Sequence, residues 1–453
     1  MTDLIESASN AYKQIAGYDQ QQVDDLIRAI GWTIYREEHA ESIAKTAHEE
    51  TGLGNKADKK QKIQRCCKGV FTDIIDEQSV GVRKTESPNI IEIMKPVGVI
   101  GTSIPSTNPG TTIVNVAMLA VKGRNSIVIS SPPHCVNTAA LTVQYVREAL
   151  ADAGAPRNLI QLLPVPVNRN REYELMEHVD LVQVTGSSRK VKAGQESGTP
   201  NYCVGEGNIV AIVDETADVR EAATDIVTGT TFDNSIVCVC ENAVVAHADV
   251  YSKLIAALEA EGGYLCTETE AKSIEATMFL SDSINPLVIG KSAREIAEKA
   301  NVSVSNKTDL IMVEESGVGA AHPLSGEKLA PVLTMYQADT FEDAVTTTKQ
   351  ILDYQGTGHS CVIHTTSPDR TEQVGREVDV CRVAVNQSGI DIATSFRNDL
   401  TNTAALGAGP WGGNQLDENL SYERFITSTR IALPTDQKEP IDDVFGNDET
   451  TDI

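Results

Sequence analysis

No apolar run in this 453-residue chain approaches the 18 or so residues that a membrane span needs. The opening residues, MTDLIESASNAYKQIAGYD, lack the basic start and apolar stretch of a secretory signal, so a cytoplasmic protein is expected. Basic residues are scarce. There are 38 of them against 64 acidic ones, a net charge of −26. Such a field repels nucleic acid and anionic lipid, which excludes both as expected partners. No two cysteines have the two-residue gap of a zinc site, and no histidine pair accompanies Cys66-Cys67 or Cys238-Val239-Cys240, so no metal is expected. The nine cysteines are odd in number and scattered, which fits reduced thiols better than a disulfide framework. Internal repeats and low-complexity linkers are also missing.

The sequence does have the balance of an ordinary globular protein, 41 % apolar and 23 % charged, with length for two or three packed domains. Residues 1–80 read as helical, with Leu26, Ile30 and Ile34 at helical spacing. From residue 90 short Val/Ile-rich runs (KPVGVIGTSIP, RNSIVIS, NLIQLLPV, VDLVQVTG) alternate with helical stretches. That alternation predicts βαβ units and a doubly wound parallel sheet. It pauses near GTTFDNSIVCVCEN and resumes. The expected fold class is α/β, with a Rossmann-like cofactor domain over 1–220, completed by 420–435, and a second α/β domain over 221–419. The acidic residues 436–453 read as a mobile tail.

Three segments bear on chemistry. Cys238 lies where a loop enters an apolar run at the expected junction of the domains, a place where a thiolate can attack an aldehyde. A buried structural cysteine is the alternative, and Cys240, two residues on, would share its face on a strand. Asn108, in the Pro-flanked turn Ile104-Pro105-Ser106-Thr107-Asn108-Pro109, can aim an amide N–H at an oxyanion or simply start a turn. Thr185, Gly186 and Ser187 follow a strand and open a helix, where free amides can cradle a pyrophosphate. Gly205-Glu206-Gly207 is only a partial glycine fingerprint.

Together these segments resemble the aldehyde dehydrogenase superfamily, in its CoA-acylating branch, from about residue 5 to 432. KPVGVIGTSIPSTNP, VTGSSRKVKAG, VGEGNIVAIVDETAD, TFDNSIVCVCEN, GTGHSCVIHT and LGAGPWGGN follow one another in that branch's order. The resemblance implies Cys238 as nucleophile and Asn108, with the Cys238 N–H, as oxyanion donors. Thr185, Gly186 and Ser187 fall on the pyrophosphate turn, Glu327 on the glutamate that holds the nicotinamide ribose, and Pro105 and Ser130 beside the cofactor. His359 matches a histidine typical of the branch, either orienting the CoA thiol or structural. Where hydrolytic members carry a water-activating glutamate, this chain has Cys203, which favours release as acyl-CoA. Glu206, three residues on, is the departure that leaves a hydrolytic enzyme as a rival. An inactive scaffold is the non-enzyme rival.

Within the branch, the stretches ETGLGNKADK, IPSTNP and QLLPVPV resemble members acting on sulfoacetaldehyde, then those acting on succinate semialdehyde. Either substrate's anionic group needs a cation, for which Arg397 is the candidate, with Arg382 and Arg424 behind it. At the strand end Ser130-Ser131-Pro132-Pro133-His134 no acidic residue opposes a 2′-phosphate, so NADP is favoured slightly over NAD. CoA is the co-substrate, and a homodimer or homotetramer is implied.

Overall fold

A computed structural model describes residues 1–280 and 283–435. The acidic tail assigned to 436–453 lies outside the described residues. Four helices open the chain. Gln20–Tyr35 starts at a capping box between Asp19 and Gln22 and buries Leu26, Ile27, Ile30 and Ile34 along one stripe. Lys56–Ile74 is capped by the Asn55 side chain on the Asp58 N–H.

The helix bundle covers a five-stranded parallel sheet. Its spatial order is Ile160–Leu162, Ser126–Ser130, Val99–Ser103, Leu181–Thr185, Asn201–Val204. Every residue of Val99–Ser103 and Ser126–Ser130 is buried, which is why these strands read as continuous apolar runs. The helix Pro109–Lys122 is buried on all sides between this sheet and the bundle. Chain order reverses between Val99–Ser103 and Leu181–Thr185, so the loops leaving these two strands flank the topological switch point where ligands of such sheets bind. Those loops are 104–108 and the turn of Gly186 and Ser187.

A second sheet has seven strands in the order Gly263–Leu265, Leu310–Glu314, Val332–Ala338, Glu241–His247, Ile209–Val213, Cys361–His364, Val383–Val385, all parallel. Its first strand begins at Ile209, ahead of the boundary near 220 suggested by the sequence. Nothing in the residues of Ile209–Val213 distinguishes them from strands of the first sheet, so the boundary could only be found from pairing. The strand Ile426–Ala432 returns to pair antiparallel with Ile90–Pro96, and Phe425 just before it is fully buried in the core of the first unit. Asn125 fastens this return by donating from Nδ2 to the Phe425 carbonyl at 2.7 Å. Among the described residues no helix is long and apolar enough to cross a membrane.

Candidate active site

A cleft of about 930 Å3 lies between the two sheets, with residues from both lining it. The C-terminal edge of the five-stranded sheet supplies Pro105, Asn108, Thr185, Gly186 and Ser187; the N-terminal edge of the seven-stranded sheet supplies Cys238 and Glu327. The size and mixed lining suit a cofactor and a small substrate together.

Cys238 is partly exposed and lies in a turn closed by a hydrogen bond from the Cys240 N–H to the Val237 carbonyl at 2.9 Å. The expected strand geometry does not hold here, and the turn separates the two thiols. Cys240 is fully buried in an apolar cluster, with its sulfur 3.8 Å from the Phe232 carbonyl and outside the cleft lining. Burial pushes the Cys238 thiol up to about 12, with the Glu327 carboxyl adding to the rise while Arg382, its own N–H and Lys62 oppose it. The Cys238 backbone lies against Gly207, where an added Cβ would fall 2.2 Å from the Cys238 carbonyl oxygen. That close approach is the physical need for Gly207.

Asn108 is the N-cap of Pro109–Lys122, yet its side chain makes no capping bond. Its Oδ1 instead accepts from the Lys62 ammonium, and its Nδ2 lies 3.2 Å from Thr107 Oγ1. Ser187, the N-cap of Ser188–Glu196, likewise keeps its hydroxyl free of capping, which suits an anionic ligand at that helix start. The Gly186 N–H is less available, being spent on the Val204 carbonyl at 3.2 Å.

Glu327 is buried, and burial with the nearby Glu206 charge pushes its carboxyl up to about 8. Glu206 itself is exposed, its carboxylate 3.3 Å from the Ser188 N–H at the helix start. Cys203 faces away from the cleft. Its sulfur fills the gap beside Gly194, where a Cβ would overlap it at 2.4 Å.

Five expected site residues lie outside the cleft lining. Arg397 does not line the cleft. Its guanidinium lies 3.2 Å from Asp225 and 3.6 Å from Asp391, so these carboxylates already satisfy the charge. Arg382 is buried and spends its donors on the His359 and Gly407 carbonyls, Ser360 and Asn419. Arg424 pairs with Glu418 at 2.7 Å. His359 is almost wholly buried, neither ring nitrogen has a hydrogen-bond partner among the described residues, and desolvation pushes its pKa down to about 3. It is absent from the cleft lining, so no contact with the site is present in this conformation.

Ser130 is also buried, and the strand end is not free of acid. Glu172, from the helix Arg169–His178, lines the cleft and accepts from Ser103 Oγ at 2.5 Å and Ser130 Oγ at 3.2 Å, with Lys190 at 3.3 Å. Sequence reasoning missed it because it lies 42 residues after Ser130; no local pattern links them. Lys62, likewise missed, also lines the cleft.

A sequence profile described as "Aldehyde dehydrogenase family" matches residues 1–299, well over half of the chain. The chain belongs to the aldehyde dehydrogenase family. Among curated aldehyde dehydrogenases it is 38 % identical to the succinate-semialdehyde dehydrogenase (acetylating) of Clostridium kluyveri, covering 95 % of this chain and 94 % of that one. It is 37 % identical to the sulfoacetaldehyde dehydrogenase (acylating) of Cupriavidus necator, over 98 % and 91 % respectively. The crystal structure of an acetylating aldehyde dehydrogenase from Geobacillus thermoglucosidasius matches at 31 % identity and a TM-score of 0.93, covering 97 % of each chain. The expected α/β aldehyde dehydrogenase fold is the one observed.

Proposed function

We propose that this protein oxidises a small aldehyde to its acyl-CoA with a nicotinamide cofactor, through a thioester on Cys238. One observation carries the reading: the only thiol of the Cys238–Cys240 pair in the cleft is Cys238, and the position of the hydrolytic base holds a thiol, Cys203, turned into an apolar cluster. The similarity to acylating relatives supports it.

The residues present fit a dinucleotide. The uncapped Ser187 hydroxyl and Thr185 would hold its pyrophosphate, the buried Glu327 carboxyl its nicotinamide ribose, and Pro105 would pack beside it. When bound, the nicotinamide accepts hydride from the substrate carbon. The Cys238 thiol gives up its proton to solvent, its sulfur attacks the aldehyde carbon as a C–S bond forms, and the carbonyl π pair moves to oxygen. Asn108 Nδ2 and the Cys238 N–H donate to that oxygen. As hydride departs, the oxygen pair restores C=O and leaves an acyl thioester. The CoA thiol then attacks this carbonyl, and the Cys238 thiolate leaves as acyl-CoA forms. His359, buried outside the cleft, takes the structural alternative in this reading, and the proton of the CoA thiol passes to the departing Cys238 sulfur.

Sulfoacetaldehyde is the favoured substrate and succinate semialdehyde the second. Arg397 is tied to two carboxylates, and the cleft-lining Lys62, which bonds to Asn108, is itself paired with Asp233. A homodimer or homotetramer belongs to the same reading.

The test is product analysis with sulfoacetaldehyde, succinate semialdehyde and propionaldehyde, each with NAD and NADP, with and without CoA. Acyl-CoA formation that vanishes in Cys238→Ala is expected. Free acid released at full rate without CoA would instead establish the hydrolytic enzyme, with Glu206 the first base to replace.

A further inference from the structure

We infer that Lys62 is a positioning residue of thiol addition: its ammonium fixes the Asn108 amide and, through Asp233, the turn that carries Cys238. This rests on the roles of Cys238 and Asn108 proposed above.

An ammonium has three donors and no acceptor, so the Asn108 atom facing it must be Oδ1. Held this way, the amide keeps its NH2 side for another partner. Without Lys62 only the Thr107 hydroxyl, which can accept or donate, orients the amide, and on a flip an acceptor would face the developing oxyanion. The same Nζ also donates to Asp233 Oδ2, and the Lys62 side chain is only 8 % exposed. One buried cation therefore bridges a residue of the first sheet's switch-point loop and a residue just before the nucleophile.

The second half of the bridge holds strained backbone. Asp233, Asn234 and Ser235 have φ values of 50°, 54° and 65°, three consecutive left-handed residues, none of them glycine. A run of such residues is strained and persists only where its surroundings fix it. The Asp233 N–H donates to Asp58 at 2.9 Å, its carboxylate accepts from Lys59 at 3.1 Å and from the Asn55 N–H at 2.9 Å, and Asn234 donates to the Gly290 carbonyl at 2.9 Å. Lys59 by itself neutralises Asp233. Lys62 is the second cation on that carboxylate and the one that also reaches Asn108. Its charge favours the Cys238 thiolate too, alongside Arg382 and against Glu327.

The experiment compares Lys62→Met, Lys62→Arg, Asn108→Ala and the Lys62→Met/Asn108→Ala double variant, each checked for folding by thermal melting. Two readouts are used: the NADH or NADPH burst with sulfoacetaldehyde in the absence of CoA, and the pH profile of Cys238 alkylation by iodoacetamide. Loss of an oxyanion donor in Asn108→Ala should slow the burst by about 100-fold or more. Lys62→Met should slow it by about 30-fold, the double variant should lose clearly less than the product of the two single losses because both act on the same amide, and Lys62→Arg should recover most of the rate. Alkylation in Lys62→Met should move to higher pH. Should the methionine variant fail to fold, Lys62→Gln takes its place with the same expectations. A folded variant with a burst within 3-fold of wild type, or losses that multiply in the double variant, overturns the inference. If wild type shows no burst and Cys238→Ala leaves alkylation unchanged, the nucleophile assignment fails instead.

Discussion

Replacing Gly207 by alanine should damage the active site without touching any reactive group. The new Cβ would lie 2.2 Å from the Cys238 carbonyl oxygen, 3.2 Å from its carbonyl carbon and 3.3 Å from its Cβ. An ordinary contact is about 3.5 Å or more, so the Cys238 backbone must retreat by over about 1 Å. Both sides of this contact are backbone, and no flexible side-chain end can yield. Gly207 does not have a left-handed φ, so steric displacement is the whole effect. A misplacement of about 1 Å in a reacting group costs on the order of 100-fold in rate. The assay is the single-turnover burst of reduced cofactor without CoA, which reads addition and hydride transfer but not thiolysis. Gly375→Ala is the control: it sits in the helix Pro368–Glu377 with nothing within 4 Å of its added Cβ. It should leave the burst unchanged and stabilise the protein by about 0.5–1 kcal/mol. A Gly207→Ala burst within 3-fold of wild type would refute the claim that this contact sets the proposed nucleophile.

Two further substitutions separate roles that the sequence left entangled. Cys240→Ala should keep the burst within about 3-fold and lower stability by about 1 kcal/mol through lost packing, as followed by thermal melting; a lost burst would make Cys240 the nucleophile. Glu172→Gln removes a carboxylate at the strand end beside the cofactor turn. The ratio of kcat/KM for NADP to that for NAD should rise by roughly 10-fold, about 1.4 kcal/mol of relieved repulsion. An unchanged ratio would mean that Lys190 already cancels this charge.

The residues themselves determined much of the fold. Buried β-branched runs such as Val99–Ser103 and Ser126–Ser130 are apolar along their whole length because parallel strands are covered on both faces, and that texture needs no tertiary information to read. The order of motifs around Cys238, Asn108 and Thr185–Ser187 likewise named the elements that meet in the cleft. Pairing was not legible: Ile209–Val213 looks like any other strand, and only its ladder partners place it in the second sheet. Nor was the local shape at Cys238, where a turn between two apolar residues took the place of strand. Distant partners decided the rest. Arg397 is withheld from the cleft by Asp225 and Asp391, Glu172 reaches the Ser130 strand end from another helix, and Lys62 bridges Asn108 and Asp233 across 46 and 171 residues of chain. A sequence carries the chemistry of each charged side chain, but which opposite charge it meets is a property of the folded surface, because Coulomb and hydrogen-bond energies depend on separation in space rather than along the chain.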